Sequence, residues 1–339
     1  MEQIHRFTFD FGRAPERIDR FLAECLPELS RSQLKKLIDE GQVLLDREPV
    51  KAGLKLKGGE QITVAVPPAT SLEAVPQAIP LNILYEDAHL IVVDKPAGLV
   101  VHPAPGHHDG TLVNALLHHC RDLAGIGGIL RPGIVHRLDK ETSGVLVATK
   151  DDFSHQHLAA QFKAHSLTRR YVALVHGLLD TPTGTIDHPI GRHPVQRKKM
   201  SGNSRMGRRA VTHWRTLRRY EQDKLTWLEL SLETGRTHQI RVHLSERGWP
   251  LVGDPVYGSS SRLRALTDVR LRTLLQQLQR QALHARLLGF IHPRTGAYME
   301  FASPLPKDLG AIIDYLDNKY SMPAFAVADP LSKVQSCGE

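Results

Sequence analysis

The chain contains 339 residues, of which 41% are hydrophobic and 24% charged, and this composition excludes a disordered, collagen-like or fibrous protein. Its length favours two or three compact units. The 44 lysines and arginines exceed the 36 aspartates and glutamates, and the resulting net charge of +8 favours an acidic partner such as a nucleic acid.

The sequence shows neither a membrane span nor a secretion signal. No apolar run approaches the roughly 18 residues of a membrane-spanning helix. The N-terminal segment lacks the apolar stretch of a signal peptide. Cys25, Cys120 and Cys337 are far apart and odd in number, which is typical of reduced thiols. We therefore expect a cytoplasmic protein that does not associate with membranes.

Residues 1–75 are predicted to form a small α/β unit, with two amphipathic helices followed by short strands. The second helix is predicted to end at Gly41, a residue type that commonly terminates helices. Arg31 and Lys35 lie one turn apart on this helix and away from its apolar stripe. This places two cations together on an exposed helix face.

A proline-rich linker, which ends at residues 76–80, precedes a second unit that is predicted to span 81–317. Most apolar runs of this unit predict strands, and the strands do not alternate regularly with helices. This pattern favours an α+β fold with a mixed, mainly antiparallel sheet over a doubly wound fold. Residues 318–339 lack periodicity and are expected to form a flexible tail.

The positive charge is concentrated in residues 192–219, which we call the basic block. The block holds ten lysines and arginines and no acid, so the rest of the chain sums to 8 − 10 = −2. It is either a solvated surface segment or a clamp for a phosphate backbone, whose affinity would fall steeply with salt. We predict the second role for Lys198, Lys199, Arg208 and Arg209.

Residues 133–150 place Asp139 in a loop between two predicted β-runs, with Arg137 two positions before it. An aspartate in such a loop is commonly a turn or cap residue. If the flanking runs hold the loop rigidly, a neighbouring cation can keep the carboxylate ionised in a poorly solvated pocket. Asp139 would then be able to act as a nucleophile.

Two further segments carry candidate side chains. If Gln239–Leu244 is a strand, Arg241 shares one face with Gln239 and His243 and can reach into a cleft as the partner of a carboxylate. The alternative is an arginine on the solvated face of that strand. Tyr171 starts another apolar strand, where a tyrosine is most often a core or rim residue.

The segment HRLDKETSG, residues 136–144, resembles the signature of the RluA-type family of pseudouridine synthases. YVALVHG, TGRTHQIRVHL, GDPVYG and FASPLP also agree with this family, and they extend the resemblance over about residues 80–308. Residues 1–75 resemble an S4 RNA-binding domain, so Arg31 and Lys35 are predicted to contact RNA. DKPAGLVVHPAPGHHDGTLVNALL is most similar to the RluD branch, which modifies uridines in the helix 69 stem-loop of large-subunit ribosomal RNA.

The resemblance implies roles for four residues in a central RNA-binding cleft. Asp139 matches the catalytic aspartate of the family, and Arg241 matches the basic residue that pairs with it. Tyr171 matches the aromatic residue that stacks on the target uracil. Arg137 matches the arginine that takes the place of the flipped-out base.

The implied reaction isomerises uridine to pseudouridine and needs neither a cofactor nor a metal. The sequence leaves open whether Asp139 attacks C6 or C1′ or assists glycal formation. The expected partner is large-subunit ribosomal RNA or a pre-50S particle, and the expected state is a monomer. The catalytic unit is expected to have the family's pseudouridine synthase fold.

Other functions were weighed against this one. A glycoside hydrolase needs two carboxylates, and Glu141 is the second acid near Asp139. The 19 histidines suggest a metal hydrolase, but HExxH and paired CxxC spacings are missing, and His238 and His243 fall on opposite faces of the predicted strand. A non-catalytic S4-type RNA-binding or ribosome-assembly factor would not need the matched catalytic set. A synthase acting on another RNA is the remaining alternative.

Overall fold

The computed structural model describes residues 3–323, except positions 27–28, 30, 52, 67–74, 104–106, 108, 121–122, 124–132, 197–198 and 205. The chain divides into two compact units, residues 1–71 and 72–339. The division lies just before position 75, where the sequence predicts the end of the first unit. Within the described residues, every helix is too short or too polar to cross a membrane.

The first unit packs two helices against a small antiparallel sheet. Its elements are β1 (Gln3–Thr8), β2 (Glu16–Arg17), α1 (Ile18–Cys25), α2 (Arg31–Asp39), β3 (Val43–Leu45), β4 (Glu48–Pro49), β5 (Lys55–Leu56) and β6 (Gln61–Val66). In the described residues β1, β6, β3 and β4 pair in that order. Leu22 of α1 and Leu34 of α2 are buried in one apolar core, whereas Lys35 is exposed. The predicted helices therefore form, because each has an apolar stripe to bury.

The second unit contains a long twisted sheet flanked by helices. Its elements are β7 (Ile83–Glu86), β8 (Leu90–Lys95), α3 (Leu112–His119), β9 (Ser143–Thr149), α4 (Asp152–Ala164), β10 (Thr168–His176), β11 (Thr183–Asp187), β12 (Gly191–Arg192), β13 (Met200–Ser201), β14 (Val211–Tyr220), β15 (Leu225–Leu232), α5 (Gln239–Glu246), α6 (Ser260–Arg264), α7 (Val269–Leu278), β16 (Leu283–Ile291), β17 (Tyr298–Ala302) and α8 (Lys307–Lys319).

Among the described strands, the sheet has the order β11–β14–β15–β10–β16–β9–β8–β7, and β17 also pairs with β16. The pairing of β9 with β16 is parallel, and the other pairs in this sheet are antiparallel. The predicted α+β class with a mixed, mainly antiparallel sheet is therefore confirmed. Strand β9 is buried along its length, and β10 is buried from Val172 to His176, so both strands are anchored in the core.

The structure corrects the prediction of a strand at Gln239–Leu244. This segment belongs to the helix α5, and its six residues are all buried. A helix that is buried on every side has no polar face, so its sequence lacks the helical period that reveals amphipathic helices. The polar residues are paired inside the protein instead: Gln239 binds main-chain and side-chain groups of Val211 and Thr212, and His243 also binds Thr212.

Two smaller predictions also need correction. Residues 133–138 form an isolated bridge between Ile134 and Ala148 rather than a strand, so β9 alone adjoins the loop of Asp139. Residues 318–322 do not belong to a flexible tail, because α8 continues to Lys319 and Met322 packs against the apolar core beneath it. Residues 324–339 lie outside the described part of the chain.

Gly144 permits the close approach of β9 and β16 directly after the loop of Asp139. Its φ is +119°, and a Cβ at this position would lie 2.1 Å from the main-chain oxygen of Ala285. We expect Gly144→Ala to lower the free energy of unfolding by about 3 kcal/mol, because the backbone of β16 must shift. Urea unfolding checks this value.

Gly310→Ala is the matched control, because Gly310 lies within α8 and a Cβ there meets open space. It should raise the free energy of unfolding by up to about 1 kcal/mol through helix propensity. Equal stability of the Gly144→Ala variant and the unmodified protein would contradict the argument.

Candidate active site

A cavity of about 500 Å³ opens in the second unit, within the size range of small-molecule sites. Its walls come from the loop before β9, the C-terminal part of α4, the start of β10 and the segment that leads into α5. The lining residues include Arg137, Asp139, Tyr171 and Arg241. The structure thus brings together four candidate residues from three separate segments of the sequence.

Arg241 lies between two carboxylates. Its Nη1 donates a hydrogen bond to Oδ2 of Asp139 at 3.0 Å. Its Nε and Nη2 donate to Oδ2 and Oδ1 of Asp254 at 2.8 and 3.0 Å. The side chain of Asp254 is fully buried. The side chain of Asp139 is 16% exposed and lines the cavity. Asp254 therefore fixes the guanidinium, and the guanidinium presents one donor to Asp139.

The charges of this network are mutually stabilised. Burial alone would raise the pKa of the Asp254 carboxyl, but the hydrogen bonds and charge of Arg241 and the N–H groups of Tyr257 and Val256 lower it below its usual value. Burial alone would lower the pKa of Arg241, but Asp254 and Asp139 raise it. Asp254 and Arg241 are consequently both ionised at neutral pH.

The sequence analysis assigned no role to Asp254. The residue lies in GDPVYG, one of the segments that carried the family resemblance, but it follows Arg241 by 13 positions in the chain. A spacing of 13 positions does not predict that Asp254 binds Arg241 through two hydrogen bonds, because this contact depends on how the chain folds back after α5. The resemblance of the segment was the available signal.

Tyr171 enters the cavity at an irregularity in β10. The register of β10 against β16 shifts between Arg170 and Val172, and bulges of this kind redirect side chains next to functional sites. The ring packs against the apolar clusters that contain Leu138 and Leu283. Burial raises the pKa of the Tyr171 phenol, so the group is neutral at pH 7.

His238 lies at the same site, although the sequence suggests it only as a metal ligand with unsuitable spacing. Its Nε2 is 4.0 Å from Oδ1 of Asp139, and its Nδ1 is 3.0 Å from the hydroxyl of Tyr257. Burial lowers the pKa of His238 despite the nearby Asp139. The Tyr257 ring also faces Arg241, and the guanidinium carbon of Arg241 lies 5.1 Å from the centroid of this ring. His238 and Tyr257 thus form one wall beside the ion network.

The residues predicted to bind RNA have different surroundings. Arg208 is exposed, whereas Arg209 lies 3.3 and 3.5 Å from carboxylates of Asp187 and Glu233. The ammonium of Lys199 lies 6.0 Å from the ring centroid of Tyr257, which places part of the basic block beside the ion network. Lys198 lies outside the described residues, and the side chain of Arg31 does too.

The sequence analysis predicts no metal site. In the described part of the chain, Glu86, His119 and Cys120 form a group whose donor atoms lie within 4.8 Å of one another, outside the cavity lining. The carboxylate of Glu86 already binds His119 at 2.8 Å and the ammonium of Lys150. The ammonium competes with any cation for this carboxylate.

The different burial of the two carboxylates on Arg241 predicts different effects on stability. Asp254→Asn removes one partner of a buried ion pair, and we expect the free energy of unfolding to fall by about 3 to 5 kcal/mol at pH 7. Asp139→Asn is the matched control and should change it by less than about 1 kcal/mol, because Asp139 is partly solvated and Asp254 still holds Arg241. Urea unfolding measures the free energy of unfolding of both variants. Equal losses would contradict the argument that Asp254, and not Asp139, is the carboxylate that stabilises buried Arg241.

Comparison with known proteins identifies the family. The family model described as RNA pseudouridylate synthase matches residues 89–246, and the S4 domain model matches residues 16–62. The RNA pseudouridine synthase YlyB of Bacillus subtilis is 48% identical over 316 residues, which cover 93% of this chain and 99% of the relative. Ribosomal large subunit pseudouridine synthase D of Pseudomonas aeruginosa is 47% identical over 308 residues, covering 91% and 93%.

A solved structure agrees with these relatives. Human RNA pseudouridylate synthase domain containing 4 is 27% identical, with a TM-score of 0.54, and the match covers 69% of this chain and 92% of the human one. The predicted fold, the S4 domain and the resemblance to the RluD branch are therefore confirmed. The chain belongs to the RNA pseudouridine synthase family.

Proposed function

We propose that this RNA pseudouridine synthase modifies uridines of large-subunit ribosomal RNA, in the helix 69 stem-loop, with Asp139 as its nucleophile. The observation that carries the proposal is the ionised Arg241–Asp254 pair, which holds Asp139 at the wall of a nucleotide-sized cavity. Relatives at 47% and 48% identity are named ribosomal large subunit pseudouridine synthase D, which supports the substrate class.

The reaction rearranges bonds within one nucleotide. The N1–C1′ bond breaks, the uracil turns, and C5 bonds to C1′, so that in net terms one hydrogen leaves C5 and one is gained at N1. Nothing is oxidised, and no group is imported. The chemistry needs a nucleophile, a fixed orientation and the exclusion of water, which the residues of this cavity can supply.

Asp139 can supply the nucleophile because only one of its oxygens is held by Arg241. The Nη1 bond goes to Oδ2, and Oδ1 has His238 as its neighbour at 4.0 Å. A carboxylate that is already oriented by a fixed guanidinium needs little reorganisation free energy when it attacks a substrate atom. We propose that Arg241 positions Asp139 and that Asp254 keeps Arg241 in place.

The target base must leave the RNA stack to reach Asp139, at a cost of a few kcal/mol. We propose that Tyr171 stacks on the flipped uracil, because its ring lines the cavity and is backed by apolar side chains. Arg137 is exposed at the cavity and is proposed to occupy the space that the base leaves. Stacking of a base on an aromatic ring stabilises it by about 1 to 3 kcal/mol, which offsets much of the flipping cost.

RNA affinity is proposed to come from two basic surfaces. The S4 domain contributes Arg31 and Lys35 of α2, and the basic block of the second unit contributes Lys199 and Arg208. Binding of a pre-50S particle by these surfaces would couple modification to ribosome assembly. Such contacts act on the phosphate backbone and give affinity without reading the sequence.

Asp139→Asn tests the nucleophile directly. The change keeps the size of the side chain and removes its charge, so pseudouridine formation should fall by about a thousandfold or more while RNA affinity is retained. Glu141→Gln, in the same loop, is the control and should keep its rate. Tritium release from C5-labelled RNA and filter binding measure the two properties. An active Asp139→Asn enzyme would rule out the assignment.

The basic block is tested by comparing two adjacent arginines. Arg208→Gln should weaken RNA binding and reduce the slope of log affinity against log salt concentration by about 1. Arg209→Gln should change the slope less, because Asp187 and Glu233 already neutralise part of its charge. Fluorescence anisotropy titrations at several salt concentrations measure both slopes. If Arg208→Gln leaves the slope of log affinity against log salt concentration unchanged, Arg208 does not contact the phosphate backbone. The basic block would then be a solvated surface segment.

A further inference from the structure

Arg169 is a buried cation in the cavity wall. Only 8% of the residue is exposed, and it lines the cavity together with Tyr171. Its Nη2 donates to the main-chain oxygens of Leu232 and Glu233 at 3.1 and 3.0 Å. Its Nε has no hydrogen-bond partner within the described residues. Among those residues, no aspartate or glutamate side chain forms an ion pair with it.

Burial without a carboxylate is costly for a guanidinium. Burial lowers the pKa of Arg169, but an arginine remains protonated at neutral pH. The two carbonyl oxygens satisfy one nitrogen, and the ring of Phe162 lies 5.8 Å from the guanidinium carbon. These neutral groups do not balance the charge. A buried cation of this kind is stabilised when an anion enters the site.

The guanidinium of Arg169 reaches the cavity beside a residue that has no side chain. Residue 235, which also lines the cavity, is a glycine, and a Cβ there would lie 3.2 Å from Nη1 of Arg169. Other cations lie along the same opening, since Lys163 at the end of α4 and Arg236 before α5 are lining residues too. Three basic side chains, those of Lys163, Arg169 and Arg236, therefore line the same cavity.

We propose that Arg169 binds a phosphodiester group of the nucleotide whose uracil stacks on Tyr171. The inference rests on the proposed function and adds the part of the substrate that this wall recognises. Arg169 and Tyr171 both line the cavity and are two residues apart on β10, so their backbone positions are at most about 7 Å apart, a distance of the size of one nucleotide. A phosphodiester supplies the missing negative charge, which a neutral uracil carbonyl does not.

The test combines a change in the protein with a change in the RNA. Mapping of large-subunit ribosomal RNA supplies the target uridine, and a synthetic stem-loop around it carries one neutral methylphosphonate, on either the 5′ or the 3′ side of that uridine. Single-turnover rates at increasing enzyme concentration give the apparent Kd for each RNA. The proteins are the unmodified chain, Arg169→Gln, Arg169→Lys and the control Arg170→Gln, which changes the exposed neighbour on β10.

The unmodified chain should lose about ten- to hundredfold in affinity with one of the two methylphosphonates. Arg169→Gln should bind the all-phosphodiester RNA with an affinity that is lower by a similar factor, and it should lose no further affinity with that methylphosphonate. Arg169→Lys should keep part of the difference in affinity between the two RNAs. Arg170→Gln should behave like the unmodified chain. Because each protein is compared with itself on two RNAs, a loss of folded protein does not mimic this result.

Two results would overturn the proposal. One is an unmodified chain that is insensitive to both methylphosphonates. The other is an Arg169→Gln variant that keeps the full sensitivity, as expected if Arg169 only ties down the carbonyl oxygens of Leu232 and Glu233. If the unmodified chain forms no pseudouridine in the all-phosphodiester stem-loop, the proposed function itself is refuted. Failure of the proposed function is thus distinguishable from failure of the Arg169 proposal.

Discussion

The guanidinium of Arg241 is held between the carboxylates of Asp254 and Asp139, and the geometry of the cavity depends on this arrangement. A buried arginine with one carboxylate would already be satisfied electrostatically. The second carboxylate is held in a defined place by a donor that cannot move, because Asp254 takes two of its nitrogens. The buried ion pair thus fixes the orientation of the partly solvated carboxylate of Asp139, which we propose as the nucleophile.

The fold serves this network by fixing the segments that carry it. Asp139 precedes β9, which is buried along its length and joined to β16 by the parallel pairing that Gly144 permits. Arg241 lies in the part of α5, Gln239–Leu244, whose residues are all buried. Tyr171 lies at an irregularity of β10. The cavity is therefore built on well-packed elements, as the proposed binding of a flipped base requires.

Much of this organisation was predictable from the sequence, because local patterns carry it. The two helices of the first unit and the mainly antiparallel sheet of the second follow from apolar periodicity, and motif resemblance singled out Asp139, Tyr171 and Arg241. The helix α5 was predicted wrongly, because burial on all sides removes the polar stripe that reveals a helix. The roles of Asp254 and Arg169 depend on contacts between distant segments, which neither periodicity nor spacing records.

The proposed function assigns pseudouridine formation in large-subunit ribosomal RNA to this cavity and to Asp139. The most direct measurement is a map of pseudouridines in that RNA from cells with and without the gene. Uridines of the helix 69 stem-loop should lose their modification on deletion and regain it with the unmodified gene but not with Asp139→Asn. A map that deletion leaves unchanged would contradict the proposed function.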